Sequence, residues 1–414
     1  MTWRVVRESA TMLGLGGLPA WLAAKDARTV VLWTDPRAAA SRTVADLLRR
    51  DGVAVTEQPF VPATPDRPLD WLDAALARPL PDAVVAVGGG SVIDRAKLYA
   101  ACAGEPGVRQ RIEPRERCGW VPLPPSTAAR RPLVAVPTTL GTGSEASRFA
   151  CFGGPQGTQL VQGDALQPDL ALLDPAATRG LPPGQVTAAV VEILGRVTAP
   201  YIGTSRPAPV QDGITEVLVR RLVQLGDVAA AADRRGAPAD DDVRLEVARI
   251  SGRSHDQWLN EGRDPFASRT WFLATELARS AGCAKPEALA VLLPVLWAQC
   301  AAVPALGSAD RAAALWAAMR TAAGDTPDLP ADPGPGLGAL FDRWGLPARL
   351  AVAEDADRTA RRARRRWGAG LPMLAGVRLD ELTTLFERCA PAPRPDHGFP
   401  AVTTAGTTPV LTTR

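Results

Sequence analysis

The chain has 414 residues, of which 47 are basic and 44 acidic, and the resulting net charge of +3 gives no indication of nucleic-acid binding. No run approaches the roughly eighteen apolar residues of a membrane span, and the N-terminus lacks the basic segment and cleavage site of a secretory signal. The six cysteines form no C-x-x-C pair. We therefore expect a cytoplasmic protein with reduced cysteines and enough residues for two domains.

The N-terminal part alternates apolar segments with helical patterns. Residues 29–35 and 53–56 are typical of buried strands, and helices are expected to end near residue 50 and to cover residues 71–80. Strands that alternate with helices predict a doubly wound, mostly parallel α/β domain, in which ligands bind at the carboxyl ends of the strands. Asp35 occupies such an end.

A glycine turn follows the apolar segment 83–87 and precedes a helical pattern. Glycines let the backbone approach a phosphate, and the first free N–H groups of the helix and its dipole favour a negative charge. The alternative is a tight turn followed by an ion pair on a surface helix, because Asp94 and Lys97 are one turn apart. The residues that we assign to the phosphate are Gly88, Gly89, Gly90, Ser91, Asp94 and Lys97.

A second element, PTTLGTGSE, spans residues 137–145 directly after the apolar run 133–136. Together with the glycine turn it resembles the iron-containing alcohol dehydrogenase family, whose fold resembles that of dehydroquinate synthase. The resemblance spans residues 2–390 and is densest between residues 84 and 182. It implies an NAD-binding domain followed by an all-helical domain. Its further cofactor-binding residues would be Thr138, Thr139, Thr142 and Ser144.

The resemblance also bears on the choice of nucleotide. In that family an acid at the position of Asp35 lies near the adenosine ribose, where its charge would repel a 2′-phosphate, so we expect NAD rather than NADP. The alternative is that Asp35 is only a turn residue in Thr-Asp-Pro.

The C-terminal half is predicted to be all-helical. We place the domains at residues 1–180 and 181–395 and expect a flexible tail at 396–414, a loop at 104–131 and another at 325–338. The helical segments are predicted at residues 188–194, 214–225, 243–250, 271–278, 289–300, 311–322 and 379–389.

The metal site of the resembled family is not present in the sequence. One Asp and three His bind the metal there, and alignment on residues 181–182 and 292–294 places Glu192, Arg196, Trp271 and Lys285 at those positions. Arginine, tryptophan and lysine are not ordinary ligands of iron or zinc. The chain has only two histidines, at positions 255 and 397, and neither lies at a matching position. The sequence therefore predicts no catalytic metal.

Other chemistry must then replace the metal. Arg196 and Lys285 would hold an anionic group, Lys285 would act as acid or base on the hydroxyl, and His255 is a second candidate base. Trp271 would narrow the pocket. The alternative is that Glu192 and Arg196, four residues apart, form only an ion pair on one helix face.

Two further features concern Gln159 and a run of arginines. Gln159 stands where the family has a lysine near the cofactor, which places the usual catalytic geometry in doubt. One helix face is predicted to carry four arginines, Arg358, Arg361, Arg362 and Arg365. This face is either solvated or docks an acidic partner.

We hypothesise a metal-independent, NAD-dependent dehydrogenase acting on a hydroxyl next to a carboxylate. The departure from the family resembles the dehydrogenases of ribosomal-peptide tailoring, such as the daptide type, in which a C-terminal threonine is oxidised and decarboxylated. The alternative is a catalytically silent scaffold for a partner enzyme. A cyclase like dehydroquinate synthase is less favoured because that chemistry also needs the metal. We expect a homo-oligomer, with no nucleic-acid or membrane partner.

Overall fold

The protein is built on a six-stranded parallel sheet, with a second, small sheet beside it. The computed structural model describes residues 8–64, 66–113, 118–124, 130–323, 329–352 and 354–391. Within these residues the strands are β1 (Ala10–Leu13), β2 (Thr29–Thr34), β3 (Ala54–Pro59), β4 (Ala83–Gly88), β5 (Trp120–Pro122), β6 (Leu133–Pro137), β7 (Phe149–Gly154), β8 (Gly157–Gln162) and β9 (Leu170–Leu173). The strands of the six-stranded sheet follow the order β1, β9, β6, β4, β2, β3. The antiparallel hairpin β7–β8 forms the small sheet together with β5.

Helices cover the sheet and make up most of the described chain after β9. They are α1 (Leu18–Ala23), α2 (Ala39–Arg50), α3 (Asp70–Leu76), α4 (Gly90–Gly104), α5 (Gly107–Arg111), α6 (Gln185–Gly203), α7 (Pro209–Arg234), α8 (Asp241–Arg253), α9 (Arg269–Ala281), α10 (Lys285–Gln299), α11 (Ala309–Ala322), α12 (Pro333–Arg343), α13 (Ala356–Trp367) and α14 (Leu379–Cys389). No strand follows β9 among the described residues. The change from strands to helices thus falls between residues 173 and 185.

Both faces of the parallel sheet are buried. Successive side chains of a strand point to opposite faces, and in β2 Leu32 joins an apolar cluster with α2, whereas Trp33 joins another with α3 and α4. A parallel sheet covered on both faces is the predicted doubly wound α/β architecture, and the helical C-terminal part is likewise confirmed. The helices α6, α7, α9 and α10 pack together around a third apolar cluster.

The predicted loop at 325–338 is wrong from residue 333 onward, where α12 begins. Proline is tolerated in the first turn of a helix, and the glycines that suggested a loop permit close packing instead. A Cβ at Gly334 would lie 2.6 Å from the Cβ of Ala298, and one at Gly336 would lie 2.3 Å from the ring of Trp316. The predicted loop at 104–131 likewise contains α5 and β5. The predicted tail at 396–414, with His397, lies outside the described residues.

The arginines of α13 do not share one exposed face. Arg358 and Arg361 are exposed, whereas Arg362 is buried and donates to Glu276 at 2.5 Å. Arg366, which is fully buried, donates to the carbonyl of Thr158 in the β7–β8 hairpin. Two of the arginines, Arg362 and Arg366, therefore anchor α13 inside the protein.

One helix among the described residues, α6, is by itself long and apolar enough to cross a membrane. Most of it is buried against the other helices, as expected for the core helix of a helical domain. The sharply bent pair α9 and α10 also meets the criterion when both helices are counted together.

Candidate active site

The glycine turn leaves the start of α4 open. β4 ends at Gly88, Gly89 precedes the helix in extended backbone, and no side chain caps its first N–H groups. Gly89 and Gly90 are partly exposed and Ser91 is exposed. Unpaired N–H groups at the N-terminus of a helix of 15 residues form a site suited to an anion. The assignment of these residues to a phosphate remains a prediction.

The second sequence element, residues 137–145, packs directly against this glycine turn. A Cβ at Gly89 would be 3.0 Å from Oγ1 of Thr139, and one at Gly90 would be 3.0 Å from Cγ2 of Thr142. The backbone N–H of Thr138 donates to the carbonyl of Gly88 at 3.0 Å, and its side chain is buried. Glycines are therefore needed here for close contact with the threonines.

Asp94 and Lys97 connect α4, which begins at the glycine turn, to residues 144–151 through hydrogen bonds. The carboxylate of Asp94 accepts hydrogen bonds from Oγ of Ser144 at 2.5 Å and from the backbone N–H of Cys151 at 2.8 Å. Lys97 Nζ donates to Oγ of Ser147 at 2.9 Å and to the carbonyl of Phe149 at 2.8 Å. Lys97 is 0% exposed, so the alternative of a surface ion pair is wrong. In this conformation Lys97 supports the site without facing a ligand.

Burial of Lys97 predicts a specific dependence of stability on pH. Loss of solvation lowers the pKa of its ammonium group to about 8 from 10.5, with Asp94 and Glu145 opposing the shift. The unfolded chain then binds the proton more tightly, so stability rises with pH across this window. Relative to Lys97→Met, the wild type should gain about 3 kcal/mol between pH 8 and 10.5.

This difference is measured by urea unfolding of both proteins at several pH values. Other groups titrate in the same way in both proteins, so only the difference between the two curves reports on Lys97. Parallel curves would show that the pKa of Lys97 is the same in the folded and unfolded states, and that burial does not lower it.

Asp35 lies beside the glycine turn. Its backbone N–H donates to the carbonyl of Val87 at 3.0 Å, and its carboxylate accepts from the backbone N–H of Arg37 at 3.0 Å. Burial tends to raise the pKa of Asp35, but the hydrogen bonds and charge of Arg37 outweigh it and keep the pKa below its usual value. Asp35 therefore carries a negative charge at neutral pH, at the carboxyl end of β2.

Arg196 is held by the second element. Its guanidinium donates to the carbonyls of Gly141 at 2.5 Å and Thr142 at 2.9 Å, and to Oγ of Ser254 at 2.8 Å. The nearest oxygen of Glu192 is 3.8 Å away, so the ion pair considered from the sequence is a loose one. Arg196 thus links α6 to the N-terminal half, and these contacts occupy donors that were expected to meet a substrate.

His255, which follows α8, reinforces the same link. Its Nε2 lies 3.0 Å from the carbonyl of Thr142, and a Cβ at Gly143 would lie 2.4 Å from its ring. Burial lowers the pKa of His255 well below its usual value, and the positive charge of Arg196 adds to this. The neutral ring therefore donates Nε2–H to Thr142, which leaves Nδ1 as its acceptor.

Lys285 begins α10, beside Trp271, which also stands at one of the metal-ligand positions. Its Nζ lies 4.5 Å from the centre of the Trp271 ring, and the side chain is partly buried. Trp271 in turn packs edge-to-face on Trp367, with ring centres 5.8 Å apart. The contact with Trp271 is a cation–π contact that holds the ammonium group in a defined position.

Two residues of the site were missed in the sequence, Cys151 and Glu145. Burial raises the pKa of the Cys151 thiol to about 12; Asp94 adds to the rise, and Lys285 and Lys97 oppose it. Charged groups from both halves therefore surround Cys151. Burial also raises the pKa of Glu145, opposed by its own backbone N–H, Lys97 and Arg196. Cys151 stands in no motif, whereas Glu145 was visible as the last residue of the second element.

The residues at the four positions do not fit a catalytic iron. No group of three or more His, Cys, Asp or Glu side chains within the described ranges is placed to hold a metal ion. Arg196 presents N–H donors that are already bonded to carbonyls, and a guanidinium has no lone pair to offer. Gln159, which stands at the position of the lysine in the resembled family, lies on β8 and is buried, with 1% of its surface exposed.

Comparisons with known proteins agree with this architecture. Residues 14–175 match the family model for iron-containing alcohol dehydrogenases. The chain is 30% identical over 221 residues to the NADPH-dependent aldehyde reductase YqhD of Escherichia coli K12, covering 52% of this chain and 53% of that protein. It is 26% identical over 277 residues to long-chain-alcohol dehydrogenase 1 of Geobacillus thermodenitrificans, covering 65% of each. These matches span less than two thirds of each relative.

The similarity to solved structures covers nearly the whole chain. The NADH-dependent butanol dehydrogenase A of Thermotoga maritima superimposes with a TM-score of 0.76 at 18% identity, over 94% of this chain and 99% of that one. The structure of YqhD from Escherichia coli K-12 superimposes with a TM-score of 0.73 at 21% identity, over 94% of this chain and 98% of that one. The fold is therefore that of iron-containing alcohol dehydrogenases, and the sequence match supports this family for the N-terminal part.

Proposed function

We propose that this chain is a nicotinamide-dependent oxidoreductase that acts on a hydroxyl or carbonyl group without a catalytic metal. One observation carries the proposal: the glycine turn is open to an anion, while the guanidinium of Arg196 occupies a metal-ligand position. A protein with this arrangement can hold a nucleotide but has no ordinary ligand set for iron.

The nucleotide would lie along the carboxyl ends of β2, β4 and β6. The start of α4 and Ser91 would bind the pyrophosphate, and Asp35 would accept hydrogen bonds from the adenosine ribose. Thr139 and Thr142 border this track. A bound nicotinamide supplies the hydride acceptor.

Lys285 is the group that we assign to the substrate. Lys285 exchanges a proton with the substrate oxygen, taking it in oxidation and giving it in reduction, and its ammonium group pairs with the carboxylate. Because Arg196 is bound to Gly141, Thr142 and Ser254, Lys285 carries the role that was expected of both cations. Trp271 holds Lys285 through the cation–π contact and narrows the space around it.

A β-hydroxy acid is the substrate class that we favour. The hydroxyl group loses its proton, and the carbon that carries this hydroxyl loses a hydride to the nicotinamide. The product is a β-keto acid. The bond to the carboxylate then breaks, carbon dioxide leaves, and the remaining carbon takes up a proton to give a ketone. A peptide ending in threonine has this arrangement of hydroxyl and carboxylate.

The test is an assay of nicotinamide reduction with protein that has been treated with a chelator. Hydroxy acids and threonine-ended peptides are compared with simple alcohols. We expect activity that survives chelation and falls by about a hundredfold or more in Lys285→Met, within the range for a proton-transfer group. Lys25→Met, at an exposed lysine, is the matched control. Activity that appears only after iron or zinc is added would contradict the proposal.

The second candidate is a silent dehydrogenase-like scaffold for a partner enzyme. It is favoured by the use of Arg196 and His255 in binding Thr142 rather than a substrate. Such a protein would bind a partner from the same pathway whether or not Lys285 is replaced. Activity that is lost in Lys285→Met excludes this candidate.

A further inference from the structure

We propose that Arg37 is a specificity-determining residue that lets the nucleotide site accept the 2′-phosphate of NADP as well as the free ribose of NAD. This rests on the proposed function, since it concerns the adenosine end of the same site. It departs from the expectation that the charge of Asp35 excludes NADP.

The position of Arg37 follows from the ladder between β2 and β4. Thr34 pairs with Val87, and the N–H of Asp35 extends this pairing to the last residue before Gly88. Arg37 is two residues further along the chain, and its side chain is 89% exposed. A cation thus lies next to the carboxylate that would meet the ribose.

The charges of the two side chains offset each other. Nε of Arg37 lies 3.2 Å from one carboxylate oxygen of Asp35, and Nη2 lies 3.3 Å from the other. An isolated carboxylate would repel a phosphate, whereas an adjacent guanidinium can bind it through two parallel N–H groups. In dinucleotide-binding folds an acid selects the ribose hydroxyl and a nearby arginine accommodates the phosphate. This site contains both.

The start of α2 adds a second attractive group. Ala38 precedes the helix in extended backbone and provides no side-chain cap, so the first N–H groups of α2 are available. The chain turns back tightly here, because the N–H of Ala38 donates to the carbonyl of Asp35 at 3.0 Å. Arg37 lies within this turn, so its guanidinium and the positive end of the helix are close together.

The ion pair can open at low cost. Ion pairs at the protein surface contribute little to stability, so the guanidinium can leave Asp35 when a phosphate arrives. With NAD, the carboxylate turns to the ribose hydroxyls and Arg37 moves into solvent. The same two residues therefore serve both nucleotides.

The experiment is a calorimetric titration of the full chain with NAD⁺ and with NADP⁺. We expect the wild type to bind both nucleotides. Arg37→Ala should lower the affinity for NADP⁺ by about ten- to hundredfold, because the variant loses a charged hydrogen-bonding group. NAD⁺ binding should stay nearly unchanged in Arg37→Ala. Arg42→Ala, at an exposed arginine of α2, should leave both affinities unchanged. Asp35→Asn should raise the affinity for NADP⁺ and lower the affinity for NAD⁺.

The outcomes separate this inference from the proposed function. A wild type that binds NAD⁺ but not NADP⁺ would overturn the role of Arg37 and leave the oxidoreductase proposal intact. An Arg37→Ala variant that keeps NADP⁺ affinity, or that loses both nucleotides equally, would also overturn it. A wild type that binds neither nucleotide would contradict both.

Discussion

Replacing Ser91 with aspartate should strongly weaken nucleotide binding and leave the fold slightly more stable. Ser91 is exposed in the first turn of α4, where the uncapped N–H groups are proposed to bind a pyrophosphate. Two like charges about 4 Å apart near a protein surface repel each other by about 4 kcal/mol. A loss of roughly a hundredfold or more in affinity follows. An acid in the first helical turn stabilises the folded state by about 0.3–1 kcal/mol.

Ser91→Asn is the matched control, because asparagine has the shape of aspartate without its charge. Calorimetric titration with NAD⁺ gives the affinities, and thermal unfolding gives the stabilities. We expect the asparagine variant to bind within a few-fold of the wild type. If the aspartate variant binds as well as the asparagine variant, the nucleotide does not place its phosphates at α4.

Replacing Arg196 with methionine should destabilise the protein by about 3–5 kcal/mol, the range for removing one partner from a buried charged network. The change leaves the carbonyls of Gly141 and Thr142 without these hydrogen bonds, and Glu192 without its nearby cation. It also releases α6 from the element that covers the glycine turn. Nucleotide affinity should therefore fall together with stability.

Arg220→Met is the control for this substitution. Arg220 lies on α7, 42% exposed, with its guanidinium 3.7 Å from Glu216, and a surface pair of this kind contributes about 0–1 kcal/mol. Urea unfolding of the two variants measures the difference. Equal stability of both variants would show that the guanidinium of Arg196 does not hold the two halves together.

The local elements could be predicted because their causes are local. The glycine turn between β4 and α4 follows from an apolar run, three glycines and a helical pattern within fifteen residues. The partners of Arg196 could not be predicted, because they are backbone carbonyls 54 and 55 positions earlier in the chain. Any residue type presents a carbonyl, so the amino-acid pattern contains no signal for this contact.

Lys97 and α12 illustrate ambiguity rather than missing signal. A spacing of three residues places Asp94 and Lys97 on one helix face, but it does not say whether that face meets solvent or the β7–β8 hairpin. The glycines of α12 are equally compatible with a loop and with close packing on Trp316 and Ala298. Only the tertiary contacts decide between the two.

The central claim, a nicotinamide-binding protein without a catalytic metal, is tested most directly by one measurement. Purified protein whose metal content has been determined by plasma mass spectrometry is titrated with NAD⁺ in a calorimeter, before and after treatment with a chelator. We predict tight binding that chelation does not change, with no stoichiometric iron or zinc. Stoichiometric iron or zinc in the purified protein, or no binding of NAD⁺, would contradict the account.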